Sequence, residues 1–415
     1  MESRRTFVTR AAAVLGASSL SAASSEIVVG AIGCGGRMNR HLLPHLLISE
    51  NVRVAAICDV YKPNLATAAG LIGKKVDEYG DYRRIIERKD INAVVVATPD
   101  HWHCPITIAA CEAGKDVYVE KPLSNNIQDC LKAVEAARKY NRVVQVGLQQ
   151  RSSLPFLEAY KVYQSGILGN IRHVVVINPG GASRRPATAG APAQGGRAAM
   201  PAGSQTPPAD LDWEMFQGPA PRRPYSSMRQ NNWRNYWEYG AGTLSDWGVH
   251  LIDVAHWYLG VSAPPATAAA AFGWFSRPKD ERTPDTVDVA WRYDKFVAGY
   301  STRSEEQGTY FYGDQGTLFV NRSGYWVKPS GGNRSSQEAK NVPLHDEDQI
   351  SKPSLSSDVG KHMTNWLDCI RSRQRPTVDI EIGAISTIPM LMGAMSILND
   401  GKTIAWKGNG AQPLV

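Results

Sequence analysis

The segment IVVGAIGCGGRM, residues 27–38, joins a run of apolar and β-branched residues to a cluster of glycines. Leucines then recur at helical spacing over residues 42–47, and a second apolar run, VAAIC at 54–58, ends on Asp59. A strand, a glycine turn, a helix, a second strand and an acid in this order are typical of a dinucleotide-binding unit. In such a unit the glycines let the backbone approach a pyrophosphate, and the acid accepts a hydrogen bond from a ribose hydroxyl. The cofactor contacts predicted here are Gly33, Gly35, Gly36, Arg37, Met38 and Asp59.

Met38 departs from this pattern, because a small residue normally stands there and lets the helix pack closely on the strand. We therefore expect a looser cradle or a helix displaced outward, and a kink at Pro44 in the same helix. Asp59 would repel a 2′-phosphate, which favours NAD over NADP, although Lys62 nearby leaves NADP possible. An α/β unit that binds no nucleotide is the alternative interpretation of this stretch.

The composition is that of an ordinary globular protein, with 415 residues, of which 43% are hydrophobic and 20% charged. That length suits two or three domains with sizeable cores. The formal net charge is +7, of which residues 1–25 carry +2 and residues 180–209 carry +3, so the remainder carries +2. No basic face follows from this distribution, which argues against nucleic acid as a partner.

The N-terminus is predicted to be a targeting segment. SRRTFV at 3–8 is a twin-arginine signature, the run 11–20 is mildly apolar, and the small residues at 21–23 suit a signal peptidase. The apolar run is too short to cross a bilayer, so no stable membrane span is expected. We therefore predict export to the periplasm by the twin-arginine pathway, with residues 1–25 as the signal. A frayed basic N-terminus is the alternative.

Two domains are expected after this segment. Strands and helices alternate over residues 26–150, which predicts an α/β domain with a doubly wound parallel sheet of the Rossmann type. Over residues 151–415 strands joined by tight turns dominate, which predicts an α+β domain with an open, mainly antiparallel sheet. Residues 180–209 are rich in glycine, alanine and proline and are predicted to form a flexible insert. A C-terminal helix is expected over about 382–398.

Ligands of a doubly wound sheet bind beyond the carboxyl ends of its strands. By that rule TPDHWH at 98–103, EKP at 120–122 and QQR at 149–151 lie on the ligand side. Pro105 is expected to open the helix that follows the first of these segments. The further cofactor contacts predicted on this edge are Thr98, Pro99, His101, Trp102, His103, Glu120, Lys121 and Gln149.

No metal site is predicted. His101 and His103 have metal-like spacing, but they stand at a helix start beside the predicted nicotinamide, where capping and cofactor contact are the usual roles. The six cysteines show no CxxC pair and no regular spacing, so they are predicted to be free thiols. They are Cys34, Cys58, Cys104, Cys111, Cys130 and Cys369.

Two separate stretches supply candidate catalytic groups. Lys121 follows a parallel strand, and an amine there can donate to a carbonyl or alkoxide oxygen, although a surface lysine at a strand end is an equally simple interpretation. Asp246 and His250 are spaced i, i+4, which would place them on one helix face. Hydride loss from a carbinol carbon needs a base for the hydroxyl proton, and a histidine beside a carboxylate can serve. The alternative is a core histidine bonded to Asp253 or to backbone.

Aromatic residues crowd positions 233–239. Because the CH faces of sugars pack on aromatic rings, this cluster could form a wall of a sugar site, or it could simply be buried where the domains meet. The substrate contacts predicted are Lys121, Arg151, Trp237, Tyr239, Asp246 and His250.

Taken together, these motifs resemble the glucose–fructose oxidoreductase/inositol dehydrogenase (Gfo/Idh/MocA) family. The residues that carry the resemblance are the glycine turn with Asp59, Thr98-Pro99, Ala113-Gly114-Lys115, Glu120-Lys121-Pro122 and the Asp246/His250 pair. The chain is also similar to a subgroup with twin-arginine leaders and the motifs DHWH, QRS and DWGxH, matched at 100–103, 150–152 and 246–250. The resemblance covers essentially all of the chain after residue 26.

This resemblance implies a Rossmann domain followed by a domain whose open sheet mediates homo-oligomerisation, as a dimer or a tetramer. It implies a cis bond before Pro122. It assigns Lys121 to orienting a substrate hydroxyl, His250 to acid–base chemistry and Asp246 to the same substrate region. The implied substrates are sugars, inositols and their derivatives.

The leading hypothesis is an exported, NAD-using oxidoreductase that acts on a secondary hydroxyl of a sugar, inositol or glycoside. Because no soluble NAD pool is expected outside the cytoplasm, the cofactor should be held tightly and recycled on the enzyme. A redox-neutral glycosidase or lyase that passes through a transient keto-sugar would use the same Lys121 and His250, and is the first alternative. A non-catalytic sugar-binding protein on this fold is the second.

Overall fold

A computed structural model of the chain describes residues 26–179, 204–276, 278–330, 337–338, 353–408 and 410–414. The predicted signal at 1–25 lies outside these residues, and so does most of the predicted insert at 180–209. The described residues form two sheets with helices packed against them.

The first sheet consists of six parallel strands. They are β1 (Ile27–Ile32), β2 (Val52–Cys58), β3 (Asp77–Tyr79), β4 (Ala93–Val96), β5 (Asp116–Val119) and β6 (Val144–Val146). Their order is β3-β2-β1-β4-β5-β6, so the predicted doubly wound sheet is confirmed. Its helices are α1 (Leu43–Ile48), α2 (Lys62–Ile72), α3 (Arg83–Ile86), α4 (Asp100–Glu112) and α5 (Ile127–Lys139). Strands β1, β4 and β5 are buried throughout, which explains their continuous apolar sequence.

The second sheet consists of ten strands. They are β7 (Ile171–Ile177), β8 (Thr267–Gly273), β9 (Thr286–Arg292), β10 (Val297–Ser301), β11 (Gly308–Gly313), β12 (Gly316–Asn321), β13 (Gly324–Pro329), β14 (Gln337–Glu338), β15 (Ile404–Lys407) and β16 (Gly410–Pro413). Their order is β14-β13-β12-β11-β7-β10-β9-β8-β15-β16. Strands β7 and β10 pair in parallel, and the other neighbouring strands whose pairing is described are antiparallel. This confirms the predicted open, mainly antiparallel sheet.

Seven further helices follow the first domain along the chain within the described ranges. They are α6 (Leu154–Gln164), α7 (Trp213–Gln217), α8 (Ser227–Asn231), α9 (Gly242–Asp246), α10 (Gly248–Leu259), α11 (Asp358–Ser372) and α12 (Ile380–Leu398). Short 3₁₀ turns at Gln149–Ser152 and Trp233–Asn235 precede α6 and α9. Helices α6, α10 and α12 pack against strands of the second sheet.

Late segments of the chain also complete the first domain. Met363 and Trp366 of α11 are fully buried in the cluster that holds Val29 of β1. Helix α12 lies against α5 and β6, and the hydroxyl of Thr387 accepts a hydrogen bond from the backbone N–H of Leu123 at 3.1 Å. Helices α11 and α12 therefore pack against the first domain and hold the two sheets in place relative to each other.

Helix α12 begins slightly before the predicted C-terminal helix. By length and composition it could cross a membrane, but 78% of its apolar window is buried inside the protein. A Cβ on its Gly383 would lie 2.3 Å from the Val146 side chain, so this helix packs directly onto the edge strand of the first sheet. The apolar side chains of α12 therefore pack in the protein core.

One helix start was predicted wrongly. Helix α4 begins at Asp100, and Pro105 lies inside it rather than at its first turn. Pro99 precedes the helix with φ −60°, so the chain is already set for a helix start there. Because Pro105 is so near that start, its missing N–H removes a single early hydrogen bond, which the helix tolerates.

Candidate active site

The glycine turn closes against β4 at Gly33. This residue has φ +83°, and a Cβ there would lie 2.7 Å from the backbone of Ala97 and Thr98. Its backbone N–H donates to the carbonyl of Cys58 at 2.8 Å. A glycine is therefore required at this position by both conformation and contact.

Gly35 has a different environment. A Cβ on Gly35 would meet no atom within 4 Å, so the backbone borders open space at the start of the helical segment. A pyrophosphate needs such an exposed backbone at a helix N-terminus. This local arrangement fits a dinucleotide.

Met38 does not obstruct this cradle. Its side chain is fully buried among apolar residues of the first domain, including Leu42 and Val95. The helical segment that follows Gly35 contains a π-type turn at Met38–Leu42, in which the N–H of Leu43 donates to the Met38 carbonyl. The expectation of a cradle loosened by this residue is therefore corrected, because the larger side chain is packed in the core. The kink predicted at Pro44 stays a prediction, since the structure places the π-type turn before Pro44, which lies in the first turn of α1.

Asp59 lies at the carboxyl end of β2. Its carboxylate accepts hydrogen bonds from the Tyr61 backbone N–H at 2.8 Å and from the Asn64 side chain at 3.0 Å. These two contacts fix the position of the Asp59 carboxylate. They do not use up its acceptor capacity, because a carboxylate can accept more than two hydrogen bonds. Lys62 is largely exposed and lies 3.8 Å from Asp210, so its ammonium turns toward another acid.

An ion pair links the glycine turn to the Glu-Lys-Pro segment. Arg37 Nε donates to Glu120 Oε1 at 2.8 Å. The peptide bond between Lys121 and Pro122, one residue after Glu120, is cis, as the family resemblance implied. Arg37 and Glu120 were both predicted as cofactor contacts, and the structure brings them together at one edge of the sheet.

Lys121 contacts Asp246 from the other domain. Its Nζ lies 2.7 Å from Asp246 Oδ1 and 2.8 Å from the Asp246 backbone carbonyl. Burial by itself would raise the pKa of Asp246, but the charges of Lys121 and Arg234 outweigh burial and hold that pKa below its usual value. The carboxylate is therefore ionised and fixes the lysine ammonium. A surface position for Lys121 is excluded by its low side-chain exposure of 16%.

Asp246 and His250 do not share one regular helix. Helix α9 ends at Asp246, α10 begins at Gly248, and Trp247 between them has φ −102° and ψ −37°. A Cβ on Gly248 would lie 2.6 Å from Met390 and 3.3 Å from Tyr300, so a residue without a side chain is needed where the chain bends. The predicted single helix is corrected to two helices meeting at this point.

His250 is buried, and its Nδ1 makes no hydrogen bond to any described residue. Burial first, and then the charges of Lys121 and Arg322, lower the pKa of His250 well below 6.5. The imidazole is therefore neutral at neutral pH and carries a lone pair. The alternative of a core histidine bonded to Asp253 does not hold, because Asp253 binds Arg151 and Ser386 instead.

The predicted contacts at 98–103 divide into two groups. His101 Nε2 lies 3.0 Å from the Phe216 carbonyl, His103 lies 2.7 Å from the Pro122 carbonyl, and Trp102 Nε1 donates to the Met215 carbonyl at 3.2 Å. These three side chains hold loops in place, and their role as cofactor contacts stays a prediction. Thr98 differs, because its buried hydroxyl has no partner among the described residues, and its backbone nitrogen lies beside Gly33 of the glycine turn. No group of three or more possible metal ligands occurs in the part of the chain that the structure describes.

Two predicted substrate contacts are used elsewhere. Arg151 donates two hydrogen bonds to buried Asp253, at 2.8 and 2.9 Å, and is thereby committed to a structural pair. Tyr239 is fully buried and lies 5.0 Å from the His101 ring, so it cannot stack on a sugar. Both predictions are corrected, and for Tyr239 the alternative of ordinary burial is right. Trp237 remains half-buried near Asn125, while Gln149 is buried in the 3₁₀ turn before α6.

Three polar residues near Lys121 and His250 were not named as cofactor or substrate contacts, although Asp100 belongs to the predicted ligand-side segment 98–103. Arg234 Nε lies 3.3 Å from Asp246 Oδ1, and its guanidinium covers the Trp233 ring at 4.3 Å. Arg322, in the turn between β12 and β13, covers the Trp247 ring at 4.8 Å. Asp100 is buried at the start of α4. Arg234 stood inside the aromatic cluster that the sequence singled out, whereas nothing local in the sequence marks Arg322.

All six cysteines are buried free thiols, as predicted. Cys34 lies in the glycine turn, where its Sγ contacts the Cys58 carbonyl at 3.6 Å. Burial, followed by the charge of Asp59, raises the pKa of both Cys34 and Cys58, so these thiols stay protonated. They act as small packed side chains.

Comparison with known proteins matches both domains to one family. Residues 27–148 match the "Oxidoreductase family, NAD-binding Rossmann fold" and residues 158–268 the "Oxidoreductase family, C-terminal alpha/beta domain", both of Gfo/Idh/MocA proteins. Inositol 2-dehydrogenase of Klebsiella pneumoniae is 32% identical over 145 residues, which are 35% of this chain and 43% of that protein. Inositol 2-dehydrogenase 2 of Saccharopolyspora erythraea is 36% identical over 143 residues, which are 34% of this chain and 42% of that protein. The matches thus span less than half the length of these curated relatives.

Solved structures share the fold across most of the chain. Aldose-aldose oxidoreductase from Caulobacter crescentus has a TM-score of 0.64 at 20% identity, covering 92% of this chain and all of that one. Levoglucosan dehydrogenase in complex with NADH and levoglucosan has a TM-score of 0.63 at 19% identity, covering 91% of this chain and 99% of that one. At this identity the likeness concerns the fold. With both domains matched in order, the chain belongs to the Gfo/Idh/MocA oxidoreductase family.

Proposed function

We propose that the protein is an NAD-dependent oxidoreductase that acts on a secondary hydroxyl of a sugar, an inositol or a glycoside. The observation that carries this proposal is the meeting of Lys121 and Asp246 at 2.7 Å, with the neutral, buried imidazole of His250 one turn further along the chain. Relatives named inositol 2-dehydrogenase and a fold neighbour named levoglucosan dehydrogenase support the choice of substrate class.

In this proposal each of the three residues has a distinct task. The ammonium of Lys121 binds the substrate oxygen and stabilises the negative charge that develops there. Asp246 positions that ammonium through two contacts, and His250 accepts the hydroxyl proton because its low pKa keeps it neutral. Bound NAD would supply the acceptor for the hydride of the same carbon.

The cofactor would be held by the first domain. The open backbone at Gly35 would accept the pyrophosphate, and Asp59 would accept hydrogen bonds from the adenosine ribose. Because Asp59 is negatively charged and Lys62 turns toward Asp210, we propose NAD rather than NADP. The unpartnered hydroxyl of Thr98 is available to the same ligand.

Export and cofactor retention form the second part of the proposal. The twin-arginine signature at 3–8 supports export of the folded protein with its nucleotide already bound. Replacement of Arg4 and Arg5 by lysine should leave the protein in the cytoplasmic fraction. Nucleotide should co-purify with the exported protein, and a protein isolated without it that turns over only with added NAD would contradict retention.

The proposed oxidation is tested by nucleotide identification and a substrate panel. Denaturing the purified protein should release NAD, and adding a sugar, an inositol or a glycoside to the native protein should produce reduced nicotinamide in its absorbance spectrum. Release of an aglycone without net reduction would instead favour the redox-neutral reaction at the same residues. No specific contact among the described residues favours that second reaction.

We also propose a homo-oligomer, a dimer or tetramer, formed through the second sheet. A hollow of about 420 Å³ on that sheet is lined largely by small residues, including Ala269–Ala271 and Gly299. Such a surface lets another sheet approach closely. Light scattering on the purified protein gives the number of subunits. A monomer at micromolar protein concentration would contradict this part of the proposal.

A further inference from the structure

One segment of the second domain is fastened to the first domain beside the proposed nucleotide site. This segment, residues 210–218, is termed the clasp. The backbone N–H of Lys62 donates to the Asp210 carbonyl at 3.0 Å. In the opposite direction, the N–H of Asp212 donates to the Val60 carbonyl at 2.9 Å. The clasp therefore pairs, as a short antiparallel bridge, with the stretch of chain that follows β2.

The other end of the clasp is held at the start of α4. The indole N–H of Trp102 donates to the carbonyls of Met215 and Phe216, at 3.2 and 3.1 Å. His101 Nε2 lies 3.0 Å from the same Phe216 carbonyl. Gly218, with φ +51°, lies so close to Trp102 that a Cβ on it would be 2.0 Å from the indole ring. Hydrogen bonds and close packing therefore fix this end together.

Apolar side chains fill the space between the clasp and the first domain. Four of them, from both sides of the contact, are buried in one cluster: Tyr61, Leu211, Trp213 and Phe216. The rings of Trp213 and Phe216 stack with their centroids 4.9 Å apart. This cluster is separate from the two larger clusters that contain the side chains of the sheets.

The two ends of the clasp lie on either side of the glycine turn. Strands β2 and β4 are the neighbours of β1 in the first sheet, and the glycine turn follows β1. The bridge at residues 60–62 follows β2, and α4 follows β4. A dinucleotide binds along this edge of a doubly wound sheet, so the clasp borders the proposed nucleotide site.

The clasp is linked most closely to the adenosine side of that site. Asp59 is the proposed acceptor for the adenosine ribose, and its carboxylate accepts the Tyr61 N–H at 2.8 Å. Tyr61 is also the residue that lies opposite Leu211 in the bridge. The same short stretch of chain therefore positions the ribose acceptor and anchors the clasp.

We propose that the clasp covers the adenosine half of the bound nucleotide, and that the nucleotide leaves only when the clasp opens. A ligand enclosed in this way is released at a rate set by the opening of the protein. Because the apolar cluster of the clasp is separate from those of the sheets, the clasp can detach while both sheets stay folded. This inference rests on the proposed NAD site, and it supplies a structural cause for the proposed retention of the cofactor.

An engineered disulfide between the clasp and the first domain tests this inference. The double variant Tyr61→Cys/Leu211→Cys places two thiols at opposite positions of the bridge. Residues paired in this manner, without hydrogen bonds to each other, have Cα atoms about 4.5 Å apart, which a disulfide can span. The full chain is loaded with NAD and is compared in its oxidised form and after treatment with dithiothreitol. Released NAD is measured with an excess of ethanol and alcohol dehydrogenase, which convert free NAD to NADH.

The oxidised form should release NAD at least about tenfold more slowly than the reduced form. Oxidised protein prepared without nucleotide should take up NAD only after reduction. The natural protein with and without dithiothreitol is the control, since its six cysteines are buried free thiols. Equal release rates from the two forms, with the disulfide confirmed by mass spectrometry, would overturn the clasp.

A second variant weakens the clasp without a crosslink. Asp212 caps α7, because its Oδ1 accepts the Met215 N–H at 2.8 Å. Asp212→Ala removes this cap and should make NAD release about threefold to tenfold faster. Asp314→Ala is the matched control, since Asp314 Oδ1 accepts the Asn170 N–H at 3.0 Å in the second domain, outside the clasp. Equal release rates in these two variants would also overturn the inference.

The outcomes separate this inference from the proposed function. If the natural protein binds no NAD, the proposed cofactor is wrong and the clasp is overturned with it. If NAD binds but its release responds neither to the disulfide nor to Asp212→Ala, the cofactor site stands and only the clasp is wrong.

Discussion

The ammonium of Lys121 lies 2.7 Å from Asp246 Oδ1 and 2.8 Å from the Asp246 carbonyl, so this residue pair joins the two domains at the edge of the first sheet where catalysis is proposed. Lys121 follows β5 of the first sheet, and Asp246 ends α9 of the second domain. The pair is partly shielded, with side-chain exposures of 16% and 22%. The geometry of the site therefore depends on how the domains pack.

Asp246→Asn tests this positioning. The amide keeps the shape of the side chain but removes the charge that holds the ammonium, so kcat should fall about a hundredfold while the nucleotide stays bound. Steady-state kinetics and nucleotide content are the measurements. Glu135→Gln, at an exposed carboxylate of α5, is the control. An unchanged kcat in Asp246→Asn would show that this carboxylate has no positioning role.

The glycine turn yields a paired prediction. Gly33→Ala should destabilise the fold by about 2 kcal/mol or more, because φ is +83° and the new Cβ would collide with the backbone of Ala97 and Thr98. Gly35→Ala should fold normally but bind NAD about tenfold more weakly, because its Cβ would enter the open space of the cradle.

Thermal unfolding and nucleotide titration separate these two effects. Gly70→Ala, in the exposed interior of α2 with no atom near its Cβ, should be neutral or slightly stabilising and serves as control. Full NAD affinity in Gly35→Ala would argue against a pyrophosphate at this turn.

Met38→Ala is expected to cost stability rather than improve binding. The side chain is fully buried in the core of the first domain, so its removal should cost about 2–5 kcal/mol through the cavity it leaves. Denaturant unfolding gives the change. A variant of unchanged stability that binds NAD more tightly would mean that this thioether obstructs the cradle after all.

Buried histidines should make the protein sensitive to acid. Burial lowers the pKa of His362 to about 4, below the value near 6.5 of an unfolded chain. As the pH falls from about 6.5 toward 4 the unfolded chain takes up a proton that the native protein does not, so stability is lost by about 1.4 kcal/mol per pH unit for this residue. The loss stops once the pH passes below the native pKa.

His362→Gln should reduce this slope, measured as unfolding free energy against pH. The variant also loses contacts to Val146 and Ser152, so the slope and not the absolute stability is compared. His173→Gln, at an exposed histidine of β7, removes one imidazole without touching a buried one and serves as the control. An identical slope in His362→Gln would remove this residue from the acid response.

The first sheet could be predicted from the sequence because its evidence is local. Buried parallel strands give continuous apolar runs, and the turn at 33–38 and the acid at Asp59 follow directly along the chain. The ends of these strands could be assigned to one edge by topology alone. The position of Lys121 at this edge follows from the strand order and from its place after β5.

The errors arise where distant segments decide the role of a side chain. Arg151 donates to Asp253, which is buried in the second domain, and is therefore not available to a substrate. Tyr239 packs against the rings of His101 and Phe216 and is therefore buried. Arg322 reaches the site only through the register of β12 and β13. No periodicity or motif in the sequence carries these long-range contacts.

The central claim is that Lys121 and His250 act together on one substrate at the bound nucleotide. Its most direct test is the single-turnover formation of reduced nicotinamide after a sugar substrate is added to the nucleotide-loaded protein, compared with Lys121→Met and His250→Gln. We predict about one reduced nucleotide per subunit in the natural protein, and rates about a hundredfold lower in both variants with nucleotide content and thermal stability retained. Undiminished rates in either variant would contradict the account.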